Sequence, residues 1–301
     1  MRIVVFGAGA LGSVVGGLLT RRHQVTLIGR EAHMRATEES GLSIGGVVEG
    51  VFLPNVATEL DGSMEADAVI VTVKARDLET ALASVRPLLD KGTQLVVMQN
   101  GLSLLRTVAK RPEGTLIGVT SLGAMYASPG KVVYAGEGDT YFGSLKGGEE
   151  AAKEIAETFS SVGLDSFVSK DIVRDVWMKA VVNASANPLT AVARCRNAEL
   201  LKNEHLALLW RDLCLEAAAV ARGCGIDIQP EEALDRTEGI LRKTAANKSS
   251  MLQDVERGKR TEIEEITGEI VKSAREKGIE AKMNLTMLLL VESIDNRLAG
   301  P

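Results

Sequence analysis

Apolar residues fall along this chain in two rhythms. Up to about Val168, short β-branched runs alternate with helical patterns. Beyond it, apolar positions recur at helical spacing in long stretches. The first rhythm predicts strands at Arg2–Phe6, Gln24–Ile28, Ala68–Val73, Gln94–Val97 and Thr115–Val119, with helices at Leu11–Arg21, Leu78–Leu88 and Leu102–Ala109. Val47–Leu53 adds a strand within an irregular excursion. Lys131–Tyr134 and Thr140–Gly143 read as late strands or a hairpin, followed by a helix at Glu149–Ser161. This alternation predicts a parallel sheet covered by helices. The second rhythm predicts helices at Asp171–Ala186, Leu206–Arg222, Pro230–Ala246, Glu262–Glu276 and Leu285–Leu298. Pro230 suits a helix start and Gly278 a helix stop. The expected division is an α/β domain over residues 1–168 and an all-α domain over residues 169–301.

Composition narrows the function. The chain has 301 residues, 45% of them apolar but only 3% aromatic, so aliphatic side chains must fill its core. A net charge of −5, with no basic tract, gives no electrostatic reason to expect nucleic acid. No apolar run approaches the ~20 residues of a membrane span. Cys195, Cys214 and Cys224 match no zinc spacing, and scattered free thiols fit a reducing compartment. His23, His33 and His205 lie far apart, which argues against a histidine metal site or a Ser-His-Asp triad. The N-terminal apolar run is short and broken by glycines, so it reads as a strand rather than a signal peptide. These features lead us to expect a cytoplasmic protein. The apolar segment MNLTMLLLVESI could pack internally or form the face of a homodimer.

Directly after the first strand, Gly7-Ala8-Gly9-Ala10-Leu11-Gly12 has the spacing G-x-G-x-x-G at the start of a helix. In that context the first glycine allows a tight turn and the second lets a pyrophosphate approach the backbone. The third permits close helix–strand packing. Free amides at the helix start then meet the phosphates. The second strand ends in TLIGRE. An acidic residue at this point usually binds the ribose of NAD. Arg30 stands there instead, and a guanidinium matches a 2′-phosphate by forked hydrogen bonds. NADP(H) is therefore expected over NAD(H), although Glu31 could contact an NAD ribose. Lys74, after the run VIVTV, could neutralise cofactor phosphate or sit on the surface. Asn100, in MQNG, could span cofactor and substrate or form a turn. The small residues from Thr120 to Ala124 suit a close-packed nicotinamide or ribose.

Lys179, Asn183 and Asn187 lie four residues apart in DVWMKAVVNASANPLTAV. On a helix they form a slowly drifting polar row among apolar neighbours. Water or a partner helix could cover that row, and a small oxygen-rich ligand would suit it better.

GAGALG, Arg30, VKA at Lys74, QNG at Asn100, WMKAVVNASANPLTA and SSMLQDVERGKRTEIEEITG together resemble the ketopantoate reductase (2-dehydropantoate 2-reductase) family along nearly the whole chain. The resemblance implies a Rossmann-type domain joined to a helical domain like that of 6-phosphogluconate dehydrogenases. It implies NADPH-dependent reduction of a small 2-oxo acid, 2-dehydropantoate, to (R)-pantoate on the route to pantothenate and coenzyme A. By motif, Lys179 would be the proton donor and Asn183, Asn187, Asn197 and Ser250 would hold substrate, with Asn100 touching both ligands. Glu262 would lie near the cofactor and the reacting centre. Gly7 to Gly12, Arg30, Lys74 and Ala124 would bind cofactor. Arg194-Cys195-Arg196 and the run after Glu204 depart from the family pattern beside the substrate region. Position alone also allows Glu262 as a helix-start residue and Ser250 as an N-cap. Burial should draw the Lys179 pKa down, unless a close Glu262 holds it charged.

Overall fold

A strand buried on both faces needs a continuous apolar run, and the sequence Ala68–Val71, AVIV, is buried at every position. It is one of twelve strands among the residues that the computed structural model describes, 1–61, 64–89 and 92–298. In chain order these are β1 (Arg2–Phe6), β2 (Gln24–Ile28), β3 (Leu42–Gly46), β4 (Gly50–Phe52), β5 (Asn55–Ala57), β6 (Ala68–Val71), β7 (Gln94–Val97), β8 (Leu116–Thr120), β9 (Gly123–Ser128), β10 (Lys131–Gly136), β11 (Thr140–Ser144) and β12 (Ser166–Val168). The helices are α1 (Ala10–Leu19), α2 (Glu31–Ser40), α3 (Leu78–Val85), α4 (Ser103–Val108), α5 (Glu149–Ser160), α6 (Ile172–Ala193), α7 (Glu199–Lys202), α8 (Glu204–Gly223), α9 (Pro230–Lys243), α10 (Ser250–Glu256), α11 (Glu269–Lys277) and α12 (Lys282–Leu298). The chain forms two compact units, Met1–Gln99 with Thr107–Ile172, and Asn100–Arg106 with Val173–Pro301.

In the first unit eight strands run in the order β12-β11-β8-β7-β6-β1-β2-β5. Strands β1, β2, β5, β6, β7 and β8 pair in parallel, and β11 runs antiparallel to β8. The chain moves outward from β1 through β2 to β5, then crosses back to β6. That reversal puts a topological switch point beside the carboxyl ends of β1 and β6, where open α/β sheets bind ligands. The core is aliphatic, with Val5, Val14, Leu18, Leu27 and Ile70 almost fully buried.

A second sheet, ordered β4-β3-β10-β9, differs from expectation. Of the predicted strand Val47–Leu53 only Gly50–Phe52 forms one: an unforeseen β3 ends at Gly46 and the chain returns as the antiparallel β4. Leu53 lies outside both, 79% exposed. Strands β10 and β11 are not a hairpin with each other. Strand β10 pairs with β9 and β3, whereas β11 joins the large sheet.

The second unit is helical. Helix α6 continues to Ala193, through Pro188, where the sequence pattern predicted a stop at Ala186. Proline costs one helical hydrogen bond and bends its helix. Hydroxyls on both sides bond helical carbonyls: Ser185 Oγ donates to Val181 O at 2.6 Å and Thr190 Oγ1 to Asn187 O at 2.9 Å. The helix closes at Arg194, whose φ of 51° occupies the left-handed position that glycine usually fills. Before α11, residues Glu264–Gly268 are wound as a π-helical turn. Met251, Val255, Ile263, Val271, Leu288 and Val291 form the local core. No described helix is long and apolar enough to cross a membrane.

Candidate active site

The glycine loop in the first unit is built for one open face. Gly7 takes a φ of +107°, and a Cβ there would lie 2.7 Å from Val73 Cγ1. The turn is pinned by Gly7 N and Ala8 N, which donate to Ile28 O at 2.9 and 2.8 Å, and by Thr72 Oγ1, which donates to Gly7 O at 2.8 Å. A Cβ on Gly12 would come within 2.4 Å of Thr72 Oγ1 and 2.5 Å of Gly7 O, so α1 packs on the end of β6 only with glycine there. Gly9 is different. Its Cβ would meet nothing nearer than Gly7 O at 3.9 Å. The missing side chain at Gly9 leaves room for something outside the protein. Gly9 is the N-cap of α1, without a side-chain cap or an acidic residue in the first turn. The amides of Ala10 and Leu11 thus begin a helix whose dipole favours an anion. Room at Gly9 and an uncapped positive helix end fit a dinucleotide pyrophosphate.

Arg30 stands just past β2 as the N-cap residue of α2, exposed to solvent. Its charge acts on the phenol of Tyr126, opposing the upward push that burial gives that group. Glu31 is exposed in the first turn of α2. Lys74 follows β6 and starts the short turn Ala75–Asp77; the buried Gln99 donates through Nε2 to Val73 O at 2.9 Å and Lys74 O at 3.4 Å. Ala124 does not continue the end of β8. It belongs to β9 in the small sheet, opposite Tyr134.

In the second unit, α6 carries the polar row. Val176, Trp177, Met178, Ala180, Val181 and Ala184 are all buried around it. Lys179 and Asn183 retain partial exposure, and Asn187 is buried. Desolvation lowers the Lys179 pKa from 10.5 to about 8, opposed by the negative charge of Glu262. The surface of the residue as a whole is only partly covered, but burial of the charge still outweighs the carboxylate. Glu262 also accepts a hydrogen bond from Asn100 Nδ2 at 3.1 Å. Asn100, Lys179 and Glu262 therefore form one constellation, drawn from positions far apart in sequence.

Gly101 explains how Asn100 reaches it. The QNG glycine has a φ of +93°, and a Cβ there would lie 2.3 Å from Glu265 O. Leu102 N donates to that same carbonyl at 3.2 Å. The segment thus docks on the π-helical turn that follows Glu262, a geometry common at functional sites. Asn197 is buried; its Nδ2 donates to Thr244 Oγ1 at 2.8 Å, while its Oδ1 has no partner. Ser250 is exposed as the first residue of α10. The N-cap is its neighbour Ser249, whose Oγ accepts from Leu252 N at 3.1 Å and shares a hydrogen bond with Thr190 Oγ1 at 2.7 Å. Sequence reasoning missed the structural tasks of Gly101, Gln99 and Ser249. Only the doubled serine in SSMLQD offered a signal, because either serine could cap. Among the described residues, no cluster of three His, Cys, Asp or Glu side chains could hold a metal ion.

Comparison with known proteins identifies the family of the chain. The model described as "Ketopantoate reductase PanE/ApbA" matches residues 3–147, and "Ketopantoate reductase PanE/ApbA C terminal" matches residues 171–295. The 2-dehydropantoate 2-reductase of Archaeoglobus fulgidus is 37% identical over 299 residues, covering 99% of each chain. That of Pyrococcus horikoshii is 35% identical over 304 residues, covering 100% of this chain and 99% of its own. A solved ternary structure of D-mandelate dehydrogenase with NADH and anilino(oxo)acetate is similar at a TM-score of 0.93 and 27% identity, covering 99% of each chain. The 2-dehydropantoate 2-reductase of Geobacter metallireducens GS-15 is similar at a TM-score of 0.89 and 27% identity, covering 97% of this chain and 99% of its own. With both family models matched and full-length relatives above 30% identity, the chain belongs to the ketopantoate reductase family.

Proposed function

We infer that this chain is an NADPH-dependent 2-dehydropantoate 2-reductase, producing (R)-pantoate for pantothenate and coenzyme A biosynthesis. The observation that carries this reading is the lysine whose pKa is drawn down to about 8, set against a carboxylate that an asparagine holds. Cofactor binding is assigned to residues 1–168 and substrate binding with catalysis to residues 169–301.

The reduced nicotinamide, when bound, supplies the hydride to the ketone carbon. Negative charge then develops on the former ketone oxygen. Lys179 stabilises that charge and donates a proton to it. A pKa of about 8 keeps the ammonium protonated at neutral pH and still acidic enough to give up its proton. Glu262 prevents burial from lowering the pKa further. The carboxamides of Asn183, Asn187 and Asn197 and the hydroxyl of Ser250 offer neutral hydrogen bonds to the substrate's carboxylate and hydroxyl. Asn100 fixes Glu262 and reaches both ligands. The loop from Gly7 to Gly12 takes the pyrophosphate through the amides that open α1, those of Gly7 and Ala8 being spent on Ile28 O, while Arg30 takes the 2′-phosphate and Lys74 further cofactor charge, with Ala124 lining the cofactor site. A cytoplasmic location, and a homodimer through Leu289 and Leu290, exposed by 56% and 42% on α12, belong to the same proposal.

The likeness to D-mandelate dehydrogenase favours a second reading, a related reductase of another 2-oxo acid that uses NADH. Following cofactor absorbance with 2-dehydropantoate and a panel of linear, branched and aryl 2-oxo acids, each with NADPH and NADH, separates the two. The first reading expects the highest kcat/KM for 2-dehydropantoate with NADPH. A higher value for an aryl 2-oxo acid with NADH would establish the second.

A further inference from the structure

A buried carboxylate on the last helix takes no part in the chemistry above. Asp295, on α12, is 9% exposed. Thr261 N donates to its Oδ1 and Oδ2, each at 3.2 Å, and Thr261 Oγ1 donates to Oδ2 at 2.8 Å. Thr261 is itself 3% exposed, and its Oγ1 accepts from Ile263 N at 3.3 Å. One side chain from 34 residues downstream thus satisfies both donors of the residue immediately before Glu262.

Holding a carboxylate out of water is costly unless donors compensate it. An apolar side chain could fill the same place on α12. What the carboxylate adds is direction, because charge-assisted bonds to an N–H and an O–H weaken when either group shifts. Direction matters here because the turn after Glu262 is π-wound, so a regular α-helical register does not place Glu262. On its other side, Ile263 is anchored in the apolar core with Val291 of α12. Glu262 is held between a polar clamp from α12 and an apolar core to which α12 contributes Leu288 and Val291.

We propose that Asp295 is a positioning residue: through Thr261 it keeps the Glu262 carboxylate on Asn100 and in electrostatic range of Lys179. This rests on the role given to Glu262 above. The test compares Asp295→Ala, Asp295→Asn and Thr261→Val with Glu262→Gln, using 2-dehydropantoate and NADPH. Thermal unfolding of each variant is recorded alongside.

If Asp295 positions Glu262, Asp295→Ala lowers kcat roughly 10- to 100-fold and leaves KM for NADPH within about twofold. It also moves the alkaline limb of the kcat/KM profile, which reports the free enzyme, to lower pH by roughly half a unit or more, since Lys179 loses the charge that holds its proton. Asp295→Asn keeps one acceptor and falls between Ala and wild type. Should Asp295→Ala fail to fold, Thr261→Val decides by the same readouts, because it retains the backbone bond. A folded Asp295→Ala with lower thermal stability but wild-type kcat and an unmoved limb overturns the proposal. If Glu262→Gln moves the limb and Asp295→Ala does not, this inference alone falls. If neither moves it, the role of Glu262 falls and takes the inference with it.

Discussion

Replacing Lys179 by methionine should abolish activity and make the protein more stable at neutral pH. The lysine titrates at about 8 instead of 10.5 because burial disfavours its charge. A difference of about 2.5 pH units corresponds to roughly 3 kcal/mol against the native ammonium. That value already includes the attraction of Glu262, and it is an upper bound on the gain. Methionine nearly conserves the volume of the lysine stem, so little packing is lost. Below about pH 8 both the folded and unfolded chains hold the proton, and the penalty is felt in full. Between about 8 and 10.5 only the unfolded chain holds it, so wild-type stability rises with pH across that window. The assay is urea unfolding of wild type and Lys179→Met at about pH 7 and again at about pH 10. The variant should be more stable by up to about 3 kcal/mol at the lower pH, with most of that advantage gone at the higher. A variant less stable than wild type at neutral pH, or a difference that ignores pH, would refute the view that Lys179 is held there against its own solvation.

Other substitutions separate the parts of the site. Arg30→Ala should raise KM for NADPH by roughly 10- to 100-fold, as loss of a charge-assisted contact implies, and that for NADH far less; an equal rise would remove the 2′-phosphate contact. Gly9→Ala should fold normally, since its Cβ meets nothing within 3.9 Å, yet bind NADPH weakly by calorimetry. Gly12→Ala should instead lose about 1–3 kcal/mol of stability from overpacking against Thr72 and Gly7. Ser249→Ala should lower stability by about 1 kcal/mol through loss of the α10 cap. Ser250→Ala should leave the melting curve unchanged and raise KM for the 2-oxo acid.

The sequence was most legible where local rules act alone. Strand β1, the glycine loop and the start of α1 follow from a few consecutive residues, and the row from Lys179 to Asn187 follows from helical spacing. Non-local pairing hid the rest. The parallel pairing of β10 with β3 joins segments nearly ninety residues apart, as Lys131 facing Ser43 shows, and nothing near Leu42 announces it. Helix α6 outran its proline because burial on both sides of Pro188 outweighs one lost bond. The π turn at Glu264–Gly268 leaves no mark in periodicity, so the docking of Gly101 on Glu265 could not be foreseen. Family resemblance named Asn100 and Glu262, but only the three-dimensional structure shows that they bond to each other and why Asn-Gly does more than turn the chain.

The central claim is that Lys179 supplies the proton in NADPH-dependent reduction of 2-dehydropantoate. Its most direct test is the pH dependence of kcat/KM for that reaction, which reports the free enzyme, in wild type and in Lys179→Ala. The wild type should turn over with an alkaline limb near pH 8, falling as pH rises because the acid must be protonated. Lys179→Ala should bind NADPH normally and lose nearly all turnover. Near-normal turnover in that variant would contradict the assignment.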